Sequence, residues 1–285
     1  MKAINIKRWF QDNPVMILII LGALIIIPLF IVDYRLGVES KDFYINLTTS
    51  AIEVFFLGLV IIFYNKLSER KDRIKRYREE IDSYRPWKED EATYRICGLV
   101  RNLNNLQVSD IDLSDCYLSK APLSEANFQG ANFQGADLMD ANLQGADLRG
   151  ANLQGANLWC ANLQGTMLSH ALLQETLLPG ANLQGADLQG ALLKKAFLQG
   201  TLLKRALLQE ALLQEALLQG ANLQGANLQG AKLQGAFVES KDWLLKVKKC
   251  GIEGIEYVKE SYCVVEDEST STTVYRIAKK QDQPS

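Results

Sequence analysis

Between Ile111 and Ser240 a five-residue unit recurs without a single insertion, and nothing else in the chain restricts its folding as strongly. The unit reads Ala, then Asn or Asp, then Leu, any residue and Gly, as in Ala126-Asn127-Phe128-Gln129-Gly130, Ala151-Asn152-Leu153-Gln154-Gly155 and Ala221-Asn222-Leu223-Gln224-Gly225. Twenty-six consecutive units fit this frame, and the third residue is Leu in all but the three that carry Phe128, Phe133 and Val238. Five is not a helical period, because an apolar residue at every fifth position wanders around an α-helix by about 140° per repeat. It is not the alternation of a long strand either. The small first residue and the large third one lie two apart, on the same side of a short extended segment, while their neighbours point away. A coil that turns a corner once per unit satisfies this pattern.

These A(D/N)LxG units resemble the pentapeptide-repeat family. The resemblance implies a mainly β fold, a right-handed quadrilateral β-helix with four units per coil. Twenty-six units then make six and a half coils, a rod about 30 Å long at the usual strand spacing of ~4.8 Å. The resemblance covers residues 111–240 and supplies no shared biochemical activity. It suggests a bacterial origin, because the nearly identical Gln-rich units are similar to those common in cyanobacteria.

Residues 1–64 read as a transmembrane helical hairpin. Val15 to Val32 is a run of eighteen residues with no charged side chain, enough for about 27 Å of helix, close to the thickness of a hydrocarbon core. The run is too long for a signal peptide and no small-residue cleavage site follows it. A second apolar stretch, Ile45 to Tyr64, has the length to return across the bilayer. Three basic residues precede the first span (Lys2, Lys7, Arg8), two lie in the loop (Arg35, Lys41) and seven follow between Lys66 and Arg78. The positive-inside rule then places both termini and the repeats in the cytoplasm, at a bacterial inner or thylakoid membrane. Inside the second span stands Glu53, preceded at helical spacing by Asn46, Thr49 and Ser50. An intramembrane carboxylate is a functional candidate by default. It lines an ion or proton path or a subunit contact, or else it is a protonated or snorkelling side chain that packs the hairpin.

Residues 65–110 hold a charged stalk helix and an N-terminal capping helix. The stalk, Lys66 to Arg85, has Leu67, Ile74 and Ile81 seven apart with Tyr77 and Tyr84 between them, which suits either a short coiled coil or a solvated helix near anionic headgroups. Pro86 ends it. Glu89 to Leu106 sets Ala92, Ile96, Leu99, Leu103 and Leu106 along one face, fit to plug the open end of the rod. Residues 241–285 abandon the five-residue period and read as a C-terminal α/β cap. There Asp242 is placed to cap a helix through Trp243, Leu244 and Val247, and two strands, Tyr262 to Val265 and Thr273 to Ile277, follow.

Along the repeats the informative departure is the second position, ordinarily Asn or Asp. It is apolar at Leu172, Leu177, Leu192, Phe197, Leu202, Leu207, Leu212 and Leu217. At twenty residues per coil, Leu172, Leu192 and Leu212 fall on one side of the rod and Leu177, Phe197 and Leu217 on the next. Leu202 and Leu207 lie on the other two sides. Trp159, at the fourth place of its unit, joins the Phe197 side one coil before Leu177. An outward patch of this kind calls for an explanation. It docks an unknown protein or a second copy of the chain, it is covered by the tail, or it records repeat duplication.

The net charge of −2 gives no electrostatic preference for nucleic acid. Some pentapeptide-repeat proteins resemble B-form DNA and protect gyrase through a strongly acidic rod. Here Ile111 to Ser240 carries eleven acidic and seven basic residues, a net of −4, too weak to assign that role. The only histidine, His170, has no Ser-His-Asp arrangement, phosphate loop or metal spacing around it. The five cysteines are widely spaced and expected in a reducing compartment, so they read as structural. The expectation is therefore a non-enzyme with no cofactor and no metal. Its leading function is a membrane-anchored scaffold for protein interaction or self-assembly, and the alternative is a membrane effector or channel whose working part is the hairpin with Glu53.

Overall fold

The computed structural model describes Gly22, residues 41–267 and residues 274–282. The chain divides into two compact units, Met1–Lys75 and Arg76–Ser285. In the first, α1 (Lys41–Tyr84) begins as a long helix whose residues Val54, Phe56, Leu57, Val60 and Phe63 are exposed. By length and composition it is the one helix among the described residues fit to cross a membrane. The expected first span, Val15 to Val32, lies outside the described residues except for Gly22. That residue is helical and buried, and a Cβ built on it would stand 2.6 Å from the ring of Phe55.

The second unit is built on the repeats. Single-residue parallel bridges join each second-position residue to the one twenty positions on, from Asp112↔Asn132 to Leu217↔Phe237. One coil is therefore four units and has four sides. They are called here side A (through Asp112, Asn132, Asn152, Leu172, Leu192, Leu212 and Lys232), side B (Tyr117 to Phe237), side C (Pro122 to Asn222) and side D (Asn127 to Asn227). First- and third-position residues fill the interior, where Ala and Leu are buried coil after coil. Phe128 and Phe133 meet edge to face inside the coil, their ring centroids 4.9 Å apart. The buried Thr166, Thr176 and Thr201 replace Ala because each hydroxyl reaches a carbonyl, Leu163, Leu153 and Leu178 respectively.

Corners are set by the last two residues of the unit. The N–H of the next first-position residue donates back to the third-position carbonyl, as from Ala131 to Phe128 at 2.9 Å, and the fifth residue has positive φ. That is the geometry of a type II turn, which favours Gly at its third residue. Twelve units carry another residue there; eleven of them hold it at φ between 54° and 61°, and Ser240, closing the last unit, does not.

Each end of the stack is closed by other elements. Helix α2 (Asp90–Asn105) buries Ala92, Ile96, Leu99 and Leu103 against the first coil. Its Asn104 amide both donates to the Asn127 carbonyl at 2.8 Å and accepts from its N–H at 2.9 Å, as a preceding coil would. Pro122, on side C of that first coil, has no N–H to satisfy. Arg85 bonds Ser114, Asp82 and Asp112. At the far end β1 (Phe237–Val238) pairs with β3 (Val274–Lys279), which pairs with β2 (Tyr262–Asp267), in the order β1-β3-β2. Helices α3 (Trp243–Lys248) and α4 (Ile255–Ser261) bury Trp243, Val247 and Val258 beneath them. Asp242 stands at the start of α3 but makes no side-chain capping bond. Its φ of −85° and ψ of 11° depart from the extended backbone that aims such a side chain at the helix.

Candidate functional site

The second-position residues do two things for the fold. In units with Asn or Asp, the side-chain oxygen accepts from the N–H two residues on, as Asn132 does from Gln134 at 3.2 Å and Asn222 from Gln224 at 3.1 Å. The Asn amide also donates to the residue one coil earlier, as from Asn152 to Asn132 at 3.1 Å and from Asn157 to Asp137 at 3.0 Å. Each such residue stitches its own corner and its neighbour coil.

Between Leu172 and Leu217 eight units give up both bonds. Leu172, Leu192 and Leu212 bridge one another on side A, and Leu177, Phe197 and Leu217 do so on side B. Leu202 on side C lies between Asn182 and Asn222, and Leu207 on side D between Asp187 and Asn227. Phe197 is 36% exposed, and the flanking leucines of sides A and B are half-buried by their stacked neighbours. In the same block the corner residue departs from Gly at Glu175, Lys195, Arg205, Glu210 and Glu215. A non-glycine residue in the left-handed region is strained by roughly 1 kcal/mol or more. The buried side-chain oxygens of Gln174, Gln199, Gln209, Gln214 and Gln219 find no hydrogen-bond partner among the described residues, and all five follow an apolar second residue. The forgone bonds and the left-handed corners thus meet in one stretch of the rod.

Side B extends further than second positions alone indicate. Met139, Trp159 and Pro179 occupy the fourth place in three successive coils of that side, with Trp159 52% and Met139 36% exposed. Tyr117 and Phe237 stand at its two ends. Where the second residue is still polar, at Asp137 and Asn157, the fourth supplies the apolar surface. The sequence places Trp159 on this side by the fourth position of its unit, and the same side also carries Met139, Pro179 and Phe237, which that reading leaves out. Counting fourth positions in steps of twenty would have found the first two.

Side A meets the tail. A groove of about 880 Å³ is lined by Leu192, Leu212, Lys194 and Gln214 on one wall and by Val265, Arg276 and Ala278 on the other. Glu215 lies 3.8 Å from Lys194 and 3.9 Å from Lys195 at the corner between sides A and B. Such exposed pairs contribute little stability.

Asn46, Thr49 and Glu53 are all exposed on α1, in the first unit. His170 is an exposed corner residue whose ring lies 2.7 Å from where a Cβ on Gly190 would stand. Among the described residues no group of His, Cys, Asp or Glu is arranged to hold a metal ion. Burial pushes the thiols of Cys97 and Cys116 up to about 11, which suits interior packing.

The family described as pentapeptide repeats (8 copies) matches residues 109–145, 136–174, 146–185, 167–205 and 201–238. Among solved structures, the chain is similar to HetL, a pentapeptide repeat protein involved in heterocyst differentiation regulation in the cyanobacterium Nostoc sp. strain PCC 7120. The identity is 32% over 46% of this chain and 78% of that one, with a TM-score of 0.26. A second pentapeptide repeat protein from Nostoc is 39% identical over 38% of this chain and 83% of its own, with a TM-score of 0.19. QnrB1, a plasmid-mediated fluoroquinolone resistance protein, is 17% identical over 42% of this chain and 72% of its own, with a TM-score of 0.26. No curated protein matches the chain.

Proposed function

The chain belongs to the pentapeptide repeat family, and from that premise we propose that it is a membrane-anchored, non-enzymatic scaffold whose coil holds another protein through sides A and B. The anchor is the N-terminal hairpin, and both termini lie in the cytoplasm. The reading is carried by one observation: between Leu172 and Leu217 the second position forgoes the two hydrogen bonds that stitch the coil elsewhere and presents stacked Leu and Phe instead. The bonds forgone contribute about 1 kcal/mol each, and the apolar contacts that replace them leave the residues of sides A and B partly exposed, a surface that a partner can cover. The exposure of Trp159 and Phe197 supports the same reading, since aromatic residues on an otherwise polar surface are characteristic of binding faces. The weakly acidic rod supports no role as a nucleic-acid mimic.

The test is the triple substitution Leu192→Asn, Phe197→Asn and Leu212→Asn in the full chain. Asn recovers the corner bond at each site, as at Asn132, and circular dichroism of the purified variant establishes that its coil is folded before its surface is compared with that of the native chain. Crosslinking from intact membranes, followed by mass spectrometry, should give a reproducible adduct with the native chain and none with the variant. An adduct that survives the triple substitution refutes the assignment of sides A and B.

A further inference from the structure

Side B carries no charge at its centre. In the four successive coils represented by Asn157, Leu177, Phe197 and Leu217, the outward positions hold Asn157, Trp159, Cys160, Leu177, Pro179, Gly180, Phe197, Gln199, Gly200, Leu217, Gln219 and Gly220. All charge stands at the corner shared with side A, where Glu175, Lys195 and Glu215 follow one another coil by coil with Lys194 beside them. Two acids and two bases cancel, so neither a basic nor an acidic partner gains from approaching this side. A surface with an uncharged apolar centre and a rim of both signs is matched by itself.

We propose that side B binds side B of a second copy, with the two coils antiparallel about a two-fold axis between the levels of Leu177 and Phe197. This rests on the scaffold reading above and names the partner at that same surface. Charge selects the arrangement. The rotation retains the lateral position of a residue and reverses its level, so each copy's A–B corner faces that of the other. Glu175, which has no ion pair within its own chain among those described, then faces Lys195 of the second copy, and the converse pair forms by symmetry. Glu215, already beside Lys194 and Lys195, faces the uncharged level of Gly155. The apolar centre matches in the same register, Leu177 with Phe197 and the Trp159 coil with the Leu217 coil. In a parallel arrangement the charged corner would instead meet Cys160, Gly180, Gly200 and Gly220, and Glu175 would gain nothing.

The association belongs to the transient class. Four coils at ~4.8 Å spacing make a strip about 19 Å long and, at three extended residues across, about 10 Å wide, so that two such faces bury roughly 400 Å² in all, far below the roughly 1,200–2,000 Å² of total surface buried in stable complexes. Confinement in one membrane raises the effective concentration without adding a contact.

The experiment uses the full chain reconstituted in vesicles of phosphatidylcholine and phosphatidylglycerol, with Cys160, Cys250 and Cys263 changed to Ser. Leu177→Cys and Phe197→Cys chains are oxidised separately and mixed. Disulfide dimers are expected mainly in the mixture, at least five-fold above either chain alone. Adding Glu175→Lys to both chains should suppress them, and adding Lys195→Glu as well should restore them. Dimers from each chain alone as abundant as in the mixture would overturn the antiparallel register, as would an unaffected yield in the Glu175→Lys chains. Absence of dimers, together with a crosslinked different protein at Phe197 in cells, overturns self-association and leaves the scaffold reading standing. Absence of both overturns the two together.

Discussion

Leu207→Asn and Leu217→Asn are the same chemical change on two opposite sides of the rod, D and B, and the structure requires them to differ in sign. Leu207 stands on side D between Asp187 and Asn227 and is 43% exposed. Full burial of a Leu side chain contributes about 2 kcal/mol, so the loss of its apolar contact costs roughly 1 kcal/mol. The new Asn gains a corner bond from the Gln209 N–H, as Asp187 has from Gln189 at 3.0 Å. It also gains a donor bond to Asp187, as Asn157 has to Asp137 at 3.0 Å. Two bonds at about 1 kcal/mol each leave a net gain of about 1 kcal/mol. Leu217 is more deeply covered and lies between Phe197 and Phe237, neither of which accepts a hydrogen bond from its side chain. There the partly buried side chain loses roughly 1.5 kcal/mol of apolar contact and only the corner bond is recovered, a net loss of roughly 0.5 kcal/mol. The two variants should be separated by roughly 1.5 kcal/mol, or roughly 3–6 °C in Tm for a domain of this size. Thermal unfolding of the detergent-solubilised full chain, followed by circular dichroism, measures the difference. Equal shifts, or a more stable Leu217→Asn chain, would refute the account of the polar ladder and with it the cost assigned to the apolar block.

The tail supplies a second pair. A Cβ on Gly254 would stand 2.6 Å from the Gln229 nitrogen at φ +74°, whereas one on Gly251 meets open space at φ +64°. Gly254→Ala should therefore cost about 3 kcal/mol or more and Gly251→Ala about 1 kcal/mol in urea unfolding. Maleimide at pH 8 should label the exposed Cys160 and Cys250 and leave the buried Cys97 and Cys116 unmodified until denaturant is added, read by mass spectrometry. The Arg149 side chain, bonded to Asp147, holds that carboxyl below its usual range. A depressed folded-state value stabilises the coil above about pH 4 and loses its effect as pH falls through that value. Arg149→Gln should accordingly shift the acid-unfolding midpoint upward, and an unchanged midpoint would show that the pair contributes nothing.

The coil was legible in the sequence because its contacts are periodic. Residues twenty apart stack, so counting alone puts Leu172 above Asn152 and beneath Leu192. What counting conveys less readily is why a unit holds the residue it does. Leu at a second position reads as a surface feature, and only the bonds of its polar neighbours reveal what that Leu has displaced. The corner residues present the same difficulty. Glu175 and Lys195 appear in the sequence as two more charges, but their φ values of 57° and 60° identify them as occupants of a position that favours Gly. Tail contacts were hidden for another reason: nothing repetitive links Arg276 to Leu192, so the groove they share came only from the packed structure. The two kinds of information meet at the A–B corner. The sequence supplies an alternating column of charge there, and the backbone shows that each member is held at a cost that a glycine would avoid. The same φ is held at eight other non-glycine corners, so strain alone does not set this one apart, and it is the alternation of Glu175, Lys195 and Glu215 beside an uncharged side that the exchange of Glu175→Lys with Lys195→Glu puts to the test.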